Sequence, residues 1–133
     1  MSELNVIKRY YEQAVTDDFP HLGGIADDER RIKAVNVRGC HGNTQNVLFY
    51  SCAVKDGVLH DLKYDCQYCD PTMYVVAELV GELLEGRPVD ALDTITDEQM
   101  TEALGGQSRK VIREARTAIR LVDEALSDTT NKQ

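Results

Sequence analysis

At 133 residues the chain has the size of one domain, large enough to bury a core without disulfide or metal staples. Its 42% hydrophobic and 29% charged residues are ordinary for a soluble globule. A net charge of −8 and a pI near 4.8 argue against a nucleic-acid partner, which would require a basic surface. No apolar run reaches the roughly 18 residues needed to cross a bilayer, and the polar MSELNVIKRYY start lacks the apolar centre of a secretion signal. The expected compartment is the cytoplasm, with no membrane association, and there thiols stay reduced.

Residues 1–126 read as a single domain and the polar stretch 127–133 as a flexible tail. Ser2 can cap a first helix that carries Leu4, Ile7, Tyr11 and Ala14 on one face. Asp17 to Asp28 holds Pro20, Gly23 and Gly24 and reads as a loop, with His21 at the surface. Ile32 to Arg38 alternates apolar and polar residues. Val47 to Val54 is strongly β-prone, Lys55-Asp56-Gly57 supplies a tight turn, and Val58 to Tyr64 returns as the partner strand, with His60 also at the surface.

The remainder is helical. Asp70 and Pro71 suit an N-cap and first helical position, and Met73, Val76, Ala77, Val80, Leu83 and Leu84 form an apolar face that ends at Gly86 and Pro88. Thr96 to Gln99 fits a capping box for a short helix stopping at Gly105-Gly106. Ser108 caps a last helix with Val111, Ala115, Ala118, Ile119, Val122, Ala125 and Leu126 inward. Its stripe Arg109, Arg113, Arg116, Arg120 reads as a solvated face that could also dock an acidic partner. Strands followed by helices predict an α+β fold: a small antiparallel three-stranded sheet with helices packed on one face.

The cysteines carry the chemistry. Cys66 and Cys69 form a CxxC just before a helix start, where two thiolates can converge on a soft metal or one thiol can attack the other. The partial positive charge of a helix amino terminus favours the thiolate. Cys40 sits in the Gly-flanked turn Arg38-Gly39-Cys40-His41-Gly42, where glycines permit the close backbone approach of a metal loop. His41 could supply a fourth ligand or hydrogen-bond a ligand from behind. Cys52, in the middle of a β-prone run, reads as a buried small hydrophobe.

In their order, these elements and cysteines resemble the IscU-type scaffold family, which includes the NifU amino-terminal domain. Val6-Ile7-Lys8-Arg9-Tyr10-Tyr11 is similar to the family's first helix, and Gly39-Cys40 falls where the first cluster cysteine follows a small residue. Asp56-Gly57-Val58-Leu59-His60-Asp61 resembles the D-G-x-I-x-D hairpin, and Cys69 falls where the second cysteine precedes the long helix. Leu83-Leu84-Glu85-Gly86 looks like that helix's end, and Glu102-Ala103-Leu104-Gly105-Gly106 like the segment before the third cysteine. Three features depart from the pattern. Gly42 stands where family members commonly have Asp; Arg109-Lys110-Val111-Ile112-Arg113-Glu114 replaces the stretch of the third cysteine, with no Cys or His after Cys69; and Cys66 has no usual counterpart. Either Cys66 replaces the missing ligand, or the chain keeps the fold without the scaffolding.

The resemblance implies an IscU/NifU-N-like scaffold or carrier rather than an enzyme. Cys40, Cys66 and Cys69, with His41, would bind an iron–sulfur cluster (2Fe–2S in first place) or zinc. It also implies a cysteine desulfurase and acceptor apoproteins as partners. The alternatives are a zinc-filled structural or interaction domain and a CxxC thiol-disulfide protein, the latter disfavoured because that fold needs strands after the motif.

Overall fold

The computed structural model describes the backbone of residues 3–23, 31–38, 45–67 and 71–131, and the side chains of 4–23, 50–65 and 71–126. The elements run α1 (Glu3–Thr16), β1 (Arg31–Arg38), β2 (Gln45–Lys55), β3 (Val58–Gln67), α2 (Pro71–Leu84), a 3₁₀ helix (Val89–Thr94), α3 (Asp97–Leu104) and α4 (Arg109–Asn131). The strands form one antiparallel sheet in the order β1-β2-β3, and no strand follows β3 among the described residues. The fold is α+β. Asp70, the expected cap of α2, lies outside the described residues, as does Ser2.

The β2–β3 hairpin forms where the Asp-Gly pair requires it. Lys55 pairs with Val58, so the loop is only Asp56 and Gly57, at φ 53° and 75°. Two successive positive φ values give the turn whose twist matches that of the flanking strands, and Asp and Gly tolerate them best. Further along, the pairing shifts between Ser51 and Ala53, and Asp61 takes φ 55° on the opposite strand as the extra residue of a bulge.

An open strand edge invites aggregation, and β3 has none left bare over most of its length. Near the turn, the segment after α2 covers it: Leu59 N–H donates to Arg87 O (3.0 Å), Gly86 N–H to Leu59 O (2.8 Å) and Val89 N–H to Gly57 O (2.8 Å). At the bulge, Leu62 N–H donates to the Glu85 carboxylate (2.9 Å). Further along, Tyr64 N–H donates to His21 O and Gly23 N–H to Tyr64 O, both at 2.8 Å. The loop after α1 is thereby drawn onto the sheet.

α2 is the centre of the core. Met73, Val75, Val76, Ala77, Leu79, Val80, Leu83 and Leu84 are all buried, so the helix is enclosed nearly all round rather than along one stripe. It packs on β3 and touches α1, α3 and α4, while α4 also lies against β1. Val111, Ala115, Ala118, Ile119 and Val122 form the inner face of α4, as their spacing predicts. The Thr96 capping box is present in both directions: Gln99 N–H donates to Thr96 Oγ1 (3.1 Å) and Thr96 N–H to Gln99 Oε1 (2.9 Å).

One expectation is corrected, and two elements go beyond the sequence reading. Leu4 is 78% exposed; the inner face of α1 is Val6 and Ala14, flanked by Ile7, Tyr10 and Tyr11. Two helical stripes ran through this segment, and the approach of Gly106 selects the one through Val6: a Cβ at 106 would stand 2.7 Å from Val6 Cγ2. α4 continues through Asn131, five residues past Leu126. The linker between α2 and α3 contains a 3₁₀ helix, seated by buried Leu92, that carries no strong periodic signal.

Candidate functional site

The strand ends that adjoin the candidate ligands in the sequence lie at one end of the sheet. Cys40, His41 and Cys69 lie outside the described residues; Cys66 is described by its backbone alone. β3 runs through Cys66 to Gln67, with Cys66 opposite Leu48, so Cys66 is a strand residue rather than part of a connector. Arg38 pairs with Gln45 and Val47 with Gln67, so the last residue of β1, the first of β2 and the last of β3 share one end of the sheet. With strands about 4.8 Å apart and about 3.3 Å of rise per residue, Arg38 and Gln67 stand about 12 Å apart. Cys40 and Cys69 each follow one of these ends by two residues, a contour of about 7 Å. Reach therefore permits a shared site.

Cys52 behaves as its position predicts. It is a buried free thiol in β2, 8% exposed, and burial, reinforced by the Glu85 carboxylate, pushes its pKa up. A protonated, enclosed thiol is a poor nucleophile and a poor ligand.

His21 departs from its expected surface role. Its backbone N–H donates to Glu78 Oε1 (3.0 Å) and its Nδ1 lies 3.0 Å from Glu78 Oε2. Tyr64 Oη donates to Glu78 Oε1 as well (3.2 Å). Glu78, only 4% exposed in the middle of α2, is satisfied by three donors from the loop after α1 and from β3. The neighbouring tyrosines stay protonated donors. Burial raises Tyr64 and Tyr50, with Glu78 adding to both, and burial together with the Tyr10 Oη to Glu82 Oε2 hydrogen bond (2.8 Å) raises Tyr10. His21, Glu78, Tyr10, Glu82 and Arg9 line a cleft of about 420 Å³ between α1, α2 and the end of α3. The signal available in the sequence was Glu78 itself, a lone carboxylate between Ala77 and Leu79 in an apolar run. The partner His21 lies 57 residues away and has no local signature.

Among the described residues no group of three or more His, Cys, Asp or Glu could hold a metal ion, so the His21–Glu78 cluster reads as an anchor rather than a metal centre. No helix among them is long and apolar enough to cross a membrane. His60, opposite Ala53, is half-buried.

An antiparallel three-stranded sheet, a buried helix after its last strand and the long helix α4 packed on that helix and on β1 make up an α+β fold. Among solved structures the chain is similar to the amino-terminal part of a nitrogen-fixing NifU-like protein from Brucella abortus. The TM-score is 0.52, with 16% sequence identity over 93% of this chain and 83% of that one. At that identity the likeness establishes the fold. No protein-family model matches the sequence, and no curated protein does.

Proposed function

We propose that this chain is an iron–sulfur scaffold or carrier, a non-enzyme that holds a cluster for transfer. Cys40, Cys66 and Cys69 are its thiolate ligands, and His41 completes or tunes the site. The supporting observation is topological: the strand ends that flank Cys40 and Cys69 lie at the same end of the sheet as Cys66. Within that reading Cys66 replaces the ligand lost from the start of α4, where Arg109 to Glu114 offers neither Cys nor His. The cargo would be a 2Fe–2S cluster, supplied with sulfur by a cysteine desulfurase and passed to acceptor apoproteins. Soft thiolates also suit zinc, so metal content alone does not discriminate.

Anaerobic reconstitution with iron and sulfide, followed by absorption spectroscopy, tests the reading. The parent chain should develop sulfide-dependent charge-transfer bands. Serine at Cys40, Cys66 or Cys69 should each abolish or strongly reduce them, because hydroxyl is a poor ligand for soft metals. Cys52→Ser should leave them intact. His41→Ala should have a full effect as a fourth ligand and an intermediate one as a hydrogen-bonding neighbour. Zinc uptake without sulfide-dependent bands would assign a structural zinc site, and full reconstitution of Cys66→Ser would refute the ligand replacement.

A further inference from the structure

A cationic strip runs along α4 of this acidic chain. Arg109, Arg113, Arg116 and Arg120 follow one another at intervals of four, three and four residues, and all are exposed. With a rise of about 1.5 Å per residue the strip is about 16 Å long. Together with Lys110 they make up a third of the chain's 15 Lys and Arg residues, and Glu114 is the only carboxylate among them. Like charges at such spacing cost a helix a few tenths of a kcal/mol per pair.

Internal partners offset this only in part. Arg116 is held by the Asp97 carboxylate and by Ile95 O (3.3 Å). Arg113 lies 3.8 Å from Glu114 Oε1 with its side chain 71% exposed. The side chains of Arg109 and Arg120 make no hydrogen bond or ion pair among the described residues.

The strip also has a shaped floor. A cleft of about 600 Å³ between α4 and the side of α3 that carries Asp97 and Thr101 includes Ile112 in its lining, and one of about 350 Å³ between α4 and the 3₁₀ helix reaches down to the buried Leu92 and Ile119. Arg113 and Arg116 line both, which joins them into one groove with apolar floor and cationic rim. The far end is closed by Asp93 and Asp123. The Asp123 carboxyl is raised by burial and then by repulsion from Asp93 and Glu124, so a negative ligand is turned away there.

We propose that this groove is a docking site for an acidic peptide segment of a partner protein. Carboxylates of that segment lie along Arg109, Arg113 and Arg120, and its apolar side chains rest on Ile112. Cations spread over about 16 Å suit a row of carboxylates better than a single small anion. The surrounding net charge of −8 disfavours nucleic acid. The proposal is independent of metal binding at the cysteines.

A short fluorescein-labelled polyglutamate peptide, followed by anisotropy on the full chain, tests it. Wild type should bind at low ionic strength and weaken as salt passes about 0.15 M, where the Debye length is about 8 Å. Arg109→Glu with Arg120→Glu should weaken binding about tenfold or more. Lys8→Glu with Lys55→Glu changes the net charge equally at exposed sites off the strip and should cost less than about twofold. The milder Arg109→Gln with Arg120→Gln keeps good helix formers and should fall between. No binding by wild type, no loss in the glutamine pair, or equal losses in the two reversed pairs would overturn the proposal. So would displacement of the peptide by equimolar inorganic phosphate, which would mark a simple anion site. A dimer in sedimentation velocity that the Arg109→Glu, Arg120→Glu pair dissolves would instead assign the groove to a second copy.

Discussion

Glu78 is a carboxylate almost wholly removed from water, and its three donors hold the loop after α1 against α2 and β3. Glu78→Ala leaves the buried Tyr64 hydroxyl and the His21 backbone N–H without an acceptor. An unsatisfied buried donor costs about 1–3 kcal/mol, so the variant should lose about 3–5 kcal/mol. That is a large part of a typical domain stability of about 5–15 kcal/mol. Glu78→Gln keeps a carbonyl acceptor and should lose about 1–2 kcal/mol. Urea unfolding followed by far-UV circular dichroism resolves the difference, since with a slope of about 1–3 kcal/mol per molar the alanine midpoint should fall by more than about 1 M.

Gly81→Ala approaches the same contact from the other side. Its Cβ would stand 2.9 Å from His21 Cγ and 3.1 Å from Nδ1, displacing the ring without touching Glu78. In the parent chain this substitution should destabilise. In a His21→Ala background the obstruction is gone, and the helix preference of Ala over Gly should make it stabilising by up to about 1 kcal/mol. A Glu78→Ala midpoint equal to that of wild type, or a Gly81→Ala effect of the same sign in both backgrounds, would refute the anchoring role.

Two further outcomes are expected. Because burial raises the Cys52 thiol, iodoacetamide at neutral pH should modify Cys69 faster than Cys52 in metal-free native protein, with the two rates converging in denaturant; mass spectrometry of quenched digests would reverse the assignment if Cys52 led. Tyr50 and Tyr64 are raised above their ordinary 10.0, so the native state holds protons that the unfolded chain releases first; their contribution is complete below about pH 10 and is lost as pH climbs beyond it. Urea midpoints should therefore fall above about pH 10, and Tyr50→Phe should flatten the decline; a slope unchanged in that variant would contradict the assignment.

Features governed by neighbours in the chain were legible without coordinates. The Asp56-Gly57 turn needs only two residues that accept positive φ. The Thr96–Gln99 capping box closes on itself within one helical turn, and the inner face of α4 follows from its 3.6-residue period. The α+β class follows from the order of strands and helices. A CxxC placed before a helix start marked the candidate thiolates, although β3 reaches further into the motif than alternation alone could indicate, because pairing with Leu48 extends it.

Tertiary packing decided the rest. Whether α1 turned Leu4 or Val6 inward was open to periodicity, and the close passage of Gly106 settled it. Glu78 stood out as a carboxylate in an apolar run, but its partners come from a loop 57 residues before it and from a strand 14 residues before it. Nothing local distinguishes His21 from a surface histidine. A buried carboxylate is tolerable only where donors converge on it, and that convergence exists only once α1, β3 and α2 have packed together.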